Sequence, residues 1–116
     1  MIIYYAHCID TYNSDVENND IAMLESIALV YNPNSAEDER RYREDGMRHF
    51  LRAVRGCDAL AFRPAKNGRI TAGMWKEIQE ARKNGLPVFQ IYEVGDCGHP
   101  MTVDETRKHL EDVGLR

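Results

Sequence analysis

A chain of 116 residues holds one domain with one modest core and leaves no room for a second. A hydrophobic fraction of 43% excludes a disordered chain, and a formal net charge of -4 excludes a general nucleic-acid binder, which needs a basic surface. Three widely spaced cysteines, Cys8, Cys57 and Cys97, with no Cys-x-x-Cys pair, are not a disulfide framework and point to a reducing, cytoplasmic setting.

The first element is Ile2 to Ala6, an almost wholly apolar run of the kind that forms a strand buried on both faces. It is too short to span a membrane and has no basic region before it, so neither a signal peptide nor a membrane partner is expected. A polar loop from His7 to Ser14 follows. Ser14 with Glu17 three residues on is a capping-box pattern, and the helix after it has Ile21, Leu24, Ile27 and Ala28 as its buried stripe. Leu29-Val30-Tyr31 is a second short strand, ended by Asn32-Pro33-Asn34-Ser35. Ala36 to Glu44 is charged throughout and reads as a solvated helix laced with i,i+4 pairs.

After Gly46, the residues Met47, Phe50, Leu51 and Val54 recur at i, i+3, i+4 and i+7, an amphipathic helix ending near Gly56. Ala59 to Phe62 is the third strand. The loop Arg63 to Arg69 carries an Asn-Gly turn signal. Ala72 to Asn84 is a helix closed by Gly85 and Pro87, and Val88 to Tyr92 is the fourth strand. Gly95 to Pro100 is a turn-rich connector, and Thr102 with Glu105 caps a last helix over roughly Val103 to Asp112.

Strands that alternate with helices make parallel pairs. The expected fold is a three-layer α/β/α sandwich on a short, Rossmann-like parallel sheet of about four strands. Ligands of such sheets bind beyond the carboxyl ends of the strands, and helix starts there favour phosphate and sugar. Behind the first strand lie His7, Asp10 and Tyr12; behind the second, Asn32 and Asn34; behind the third, Arg63, Lys66 and Arg69, then Gly73 and Glu77 at the start of a helix. Amides and carboxylates suit sugar hydroxyls, and the cationic trio suits a phosphate. Gly73, Met74, Ile78 and Ala81 surround Glu77 on the helix and put it at the edge of the buried face. Tyr4 and Tyr5 point to opposite faces of the sheet, so at most one of them faces Glu77. The four histidines are scattered along the chain without metal spacing, and neither a metal nor a cofactor is expected. Cys8 reads as an inert, buried thiol, and Trp75 as a packing residue.

Three segments, Ile3-Tyr4-Tyr5-Ala6, Cys57-Asp58-Ala59-Leu60-Ala61-Phe62 and Ala72-Gly73-Met74-Trp75-Lys76-Glu77-Ile78 with Ala81 beyond, resemble the nucleoside 2-deoxyribosyltransferase-like proteins. That group includes the deoxynucleoside 5′-monophosphate N-glycosidases. The resemblance follows the order of elements over roughly residues 2 to 92. It implies that Glu77 is a nucleophile that captures the anomeric carbon of a (deoxy)nucleoside or nucleotide, that Tyr4 orients it, and that Asp58 is structural. It also implies a homodimer or higher assembly. On this reading Asp10 and Asn32 contact the sugar, Arg63 and Arg69 a phosphate, and Gly73 lets the ligand approach. Two departures stand out: Gln79 where the family has glycine, and a loop before the helix that is basic and lacks a carboxylate. The basic loop points to a phosphorylated ligand, and the departures leave open a second reading, a non-catalytic nucleotide-binding or sensing module on the same fold.

Overall fold

The computed structural model describes residues 1–91 and 98–116. Four strands, β1 (Ile2–His7), β2 (Leu29–Tyr31), β3 (Ala59–Arg63) and β4 (Val88–Gln90), pair in parallel in the order β2-β1-β3-β4. Among the described residues five α-helices accompany them: α1 (Asp15–Glu25), α2 (Ala36–Asp45), α3 (Met47–Arg55), α4 (Ala72–Lys83) and α5 (Val103–Asp112). The end of the fourth predicted strand at Tyr92, and Gly95 to Cys97 of the connector, lie outside the described residues.

Strand alternation sorts the core into two layers. Tyr4, Ala6, Leu60 and Phe62 face one way, onto Val54 of α3 and Met74, Ile78 and Ala81 of α4. Ile3, Tyr5, Ala59 and Ala61 face the other way, onto Leu24 and Ile21 of α1. The result is the three-layer α/β sandwich on a Rossmann-like sheet. Both faces of β1 are therefore dry, which is why its sequence is an unbroken apolar run rather than an alternating one. Among the described residues no helix is long and apolar enough to cross a membrane.

Local chemistry fixes where the helices begin. Ser14, Ser35, Thr71 and Thr102 each accept a hydrogen bond from the backbone N–H three residues on, at 3.0 to 3.2 Å. Only α3 starts without such a cap, at Gly46, whose φ of 65° breaks α2 from α3. At α5 the capping box is complete, with the Glu105 carboxylate accepting from the Thr102 N–H. At α1 only half of it forms, because Glu17 turns inward instead.

Two expectations change. The predicted stripe of α1 fails at Ile27, which is 69% exposed. The helix stops at Glu25, so helical spacing no longer decides which way Ile27 points. Predicted strand β4 is shorter than read: Ile91 is buried and its N–H still reaches the Phe62 carbonyl, but the strand itself ends at Gln90. The charged segment behaves as read, with Arg40–Glu44, Arg41–Glu37 and Arg43–Glu39 pairs on an exposed helix face.

Candidate functional site

Strands β1 and β3 are neighbours, yet the chain leaves β1 toward β2 on one side and continues from β3 toward β4 on the other. Their following loops diverge, and a crevice opens at the carboxyl ends. It is a cleft of about 820 Å3. Its polar wall comes from the loops after β1 and β2, with Tyr12, Asn13 and Asn34 among others. Its floor is the first turns of α4, with Thr71, Gly73 and Glu77. Tyr42, Met47 and Phe50 from α2 and α3, with Leu110 of α5, make an apolar wall.

Glu77 is the centre of this floor. It is only 6% exposed. The Tyr4 hydroxyl donates a short hydrogen bond to its Oε2. Burial pushes the Glu77 carboxyl up to about 7, and the hydrogen bond from Tyr4 works against that rise by favouring the anion. The Tyr4 phenol is held well above its ordinary range, by burial first and by the Glu77 charge second. Tyr4 cannot swing away: its ring stacks on Tyr31 at 5.4 Å, and the Tyr31 hydroxyl is anchored on Asp38. His49 and Ser35 hold Asp38 in turn, at 2.7 and 2.5 Å. A carboxylate at the edge of an open cleft is thus fixed from behind by a buried hydrogen bond, a ring stack and the hydrogen bonds that anchor Tyr31 on Asp38.

Gly73 has no structural reason to be glycine. Its φ is not left-handed, and an added Cβ would meet nothing closer than Met47 Sδ at 3.8 Å. What glycine spares is cleft volume one turn before Glu77.

The polar wall is set by Glu17, whose part goes beyond the capping role read from the sequence. Glu17 Oε2 lies 2.7 Å from His7 Nε2, and its carboxylate accepts from the Asn34 amide and from the Asn13 N–H. His7 Nδ1 donates to the Tyr5 carbonyl, so one proton is left to share between Nε2 and Glu17. Burial lowers the His7 pKa, with the Glu17 hydrogen bond opposing it. Both ring nitrogens are spent internally, so His7 shapes the wall rather than offering a free base. The Tyr12 ring leans on it at 4.9 Å. Burial, then the Glu77 charge, keeps the Tyr12 phenol above its ordinary range.

The remaining sequence-read residues lie elsewhere. Among the described residues that line the cleft, Asp10, Asn32, Arg63 and Arg69 are absent, and so is every Lys and Arg. Arg63 grips Asp20 of α1 through Nε and Nη2, on the Tyr5 side of the sheet, where Tyr5 also donates to Asp20 at 2.6 Å. Arg69 bridges to Glu105 and to the His99 carbonyl, both at 2.9 Å. The basic loop therefore knits the chain to itself, because a guanidinium fork finds carboxylates that sequence distance conceals. Asn32 closes a local turn, its Oδ1 accepting from the Asn34 N–H at 3.0 Å, and it is Asn34 that reaches the cleft. Asp58 accepts from the Ile2 N–H at 2.8 Å, the structural role read for it. Trp75 packs partly buried against the core, with Arg82 5.7 Å from its ring.

Asp10 is buried beside the cleft. Burial alone would raise its carboxyl, but hydrogen bonds from His109 and the Lys66 N–H hold it below the usual carboxylate range. Burial pushes the neighbouring Cys8 thiol up to about 12, so it is inert as a nucleophile. The histidines look scattered along the chain, but the fold brings His109 to Cys8 and Asp10, with ligating atoms of all three within 4.8 Å of one another. The missed signal for the apolar wall was the face of α2 and α3 that carries Tyr42, Met47 and Phe50: its residues are apolar, but nothing in their spacing says that they line a cleft and stay partly exposed.

No protein-family model matches the chain, and no curated protein or solved structure shows a significant match to it.

Proposed function

We propose that the chain cleaves or transfers the N-glycosidic bond of a (deoxy)nucleoside through a glycosyl-enzyme on Glu77. The observation that carries this reading is the buried Glu77 carboxylate held by Tyr4 at the edge of the cleft. A Glu77 oxygen attacks C1′ as the C1′–N bond breaks, and the electron pair leaves with the base, which takes a proton from solvent. Water, or a second base, attacks C1′ in turn and returns Glu77 as a carboxylate. Tyr4 stabilises the attacking anion and fixes its direction.

The cleft supports an uncharged nucleoside over a nucleotide. No Lys or Arg is among its described lining residues, and the Arg63 and Arg69 guanidiniums are engaged by Asp20 and by Glu105. Tyr42, Met47 and Phe50 offer an apolar, partly aromatic surface for a base. The test is release of free base from deoxynucleosides and their 5′-monophosphates by wild type and Glu77→Gln. Release confined to wild type, faster from the nucleoside, supports the reading; equal release by both proteins sinks it.

The same fold as a binding-only module is the competing reading. Its support is the loop after β3, which supplies no carboxylate to protonate a departing base. It predicts nucleoside or nucleotide binding with no base released after long incubation.

A homodimer, or a higher homo-oligomer, is part of the proposal, supported by Ile27, Leu29 and Phe89, each more than half exposed on the surface. Light scattering tests it. The proposed setting is a reducing, cytoplasmic one, in keeping with Cys8 and Cys57 as free, buried thiols.

A further inference from the structure

The glycosidic chemistry leaves unused a buried cluster where the loop after β1 meets α5. Cys8 and Asp10 come from the loop after β1 and His109 from α5, 99 residues beyond Asp10; all three are buried, and one sulfur, one oxygen and one nitrogen lie within 4.8 Å of each other. We propose that these three residues bind a thiophilic divalent cation, zinc above all, with a fourth coordination position open toward the cleft.

The donor set makes the choice of metal. A thiolate with an imidazole selects zinc over magnesium or calcium, which prefer oxygen alone. Three protein ligands leave one tetrahedral position, and Cys8, which lines the cleft, sets the cluster against the ligand space.

The contacts that would hold Asp10 as a ligand are already formed. Thr11 Oγ1 donates to Asp10 Oδ1 at 3.1 Å, and the Lys66 N–H donates to Oδ2 at 3.0 Å, fixing the carboxylate plane. The spacing requires little adjustment. His109 Nε2 and Asp10 Oδ2 are 2.7 Å apart, whereas two such ligands on one zinc sit roughly 3.3 Å apart. The sulfur, within 4.8 Å of both, would stand roughly 3.5 Å from either. Both changes are on the scale of side-chain rotation.

The proton balance is simple. The metal replaces the proton between His109 and Asp10. His109 then ligates through the Nε2 lone pair with its ring proton on Nδ1, a position to which no hydrogen bond is made among the described residues. The Cys8 thiol proton goes to solvent, and a second proton follows it if His109 begins as imidazolium. Affinity therefore rises with pH. A bound metal would also pin α5, which carries the cleft residues Thr106 and Leu110, to the loop after β1.

The test is an optical titration of the chelator-treated, full-length chain with Co(II), which reads the site without any assay of activity. The expected result is one cobalt per chain with the visible bands of tetrahedral Co(II) and a thiolate-to-cobalt charge-transfer band. Cys8→Ser should lose the charge-transfer band, His109→Ala should weaken binding about tenfold or more, and Cys57→Ser should change neither. Zinc X-ray absorption on the wild type gives a second measurement should Cys8→Ser fail to fold, and it should show one sulfur among the ligands. An octahedral cobalt spectrum in the wild type, a thiolate band that survives in Cys8→Ser, or a zinc shell without sulfur would overturn the proposal. None of these outcomes depends on Glu77 or on base release.

Discussion

Tyr4 and Glu77 stand 73 residues apart in the chain and share a hydrogen bond in the buried floor of the cleft. The donor sits on the central strand β1, and the acceptor lies one turn into α4. Both elements are packed into the same core layer, which fixes the direction from which the carboxylate can meet a ligand.

Removing the donor should shift the titration of Glu77. Tyr4→Phe keeps the ring and its stacking on Tyr31 but takes away the hydrogen bond that favours the anion. A hydrogen bond to a charged group contributes about 1.5–3 kcal/mol, which corresponds to a rise of roughly one to two pKa units. Activity that needs ionised Glu77 rises with pH through about 7 in the wild type. In Tyr4→Phe that limb should move to higher pH, read from the pH profile of kcat/KM. An unmoved limb contradicts the assignment.

The same burial makes a stability prediction of definite sign. The Glu77 carboxyl titrates near 4.5 when free and near 7 in the fold, so the folded state holds its proton more tightly. Stability contributed by this group is complete below pH 4.5 and is lost as pH rises through 7. Glu77→Gln removes the ionisation. Its stability relative to wild type should grow across that window and reach on the order of 3 kcal/mol above it. Urea unfolding at the two ends of the window measures it.

Gly73 should trade stability against function. Ala fits without a clash, since the nearest atom is Met47 Sδ at 3.8 Å. Helix propensity favours Ala by up to about 0.5–1 kcal/mol. Gly73→Ala should therefore unfold at the same temperature or slightly higher, while KM for the nucleoside rises because the methyl group enters the cleft. Unchanged KM would show that the ligand does not approach this turn.

Glu17 holds the polar wall. Glu17→Ala strands His7 Nε2 and the Asn13 N–H in one step and leaves the Asn34 amide only Asn13 Oδ1 to donate to. A loss of about 2–4 kcal/mol is expected in chemical denaturation, with Glu17→Gln milder because it keeps an acceptor.

What could be read along the chain was local. Capping patterns at Ser14 and Thr102 and the spacing of apolar residues placed helices, and strand alternation put Tyr4 and Tyr5 on opposite faces. Those rules were enough to bring Glu77 to the edge of the core. Pairings between distant residues were not legible. Arg63 meets Asp20 across 43 residues, and Asp10 meets His109 across 99, so two residues read as ligand contacts are partnered within the protein. No periodicity encodes such a meeting; it follows from how α1 and α5 dock on the sheet.

The central claim is that Glu77 forms a covalent bond to the sugar. Its most direct test is acid quenching of wild type during incubation with a deoxynucleoside, followed by intact-mass and peptide mass spectrometry. The account predicts a deoxyribosyl adduct on the peptide carrying Glu77, absent from Glu77→Gln. Release of base by Glu77→Gln at the wild-type rate, or an adduct on another residue, would contradict it.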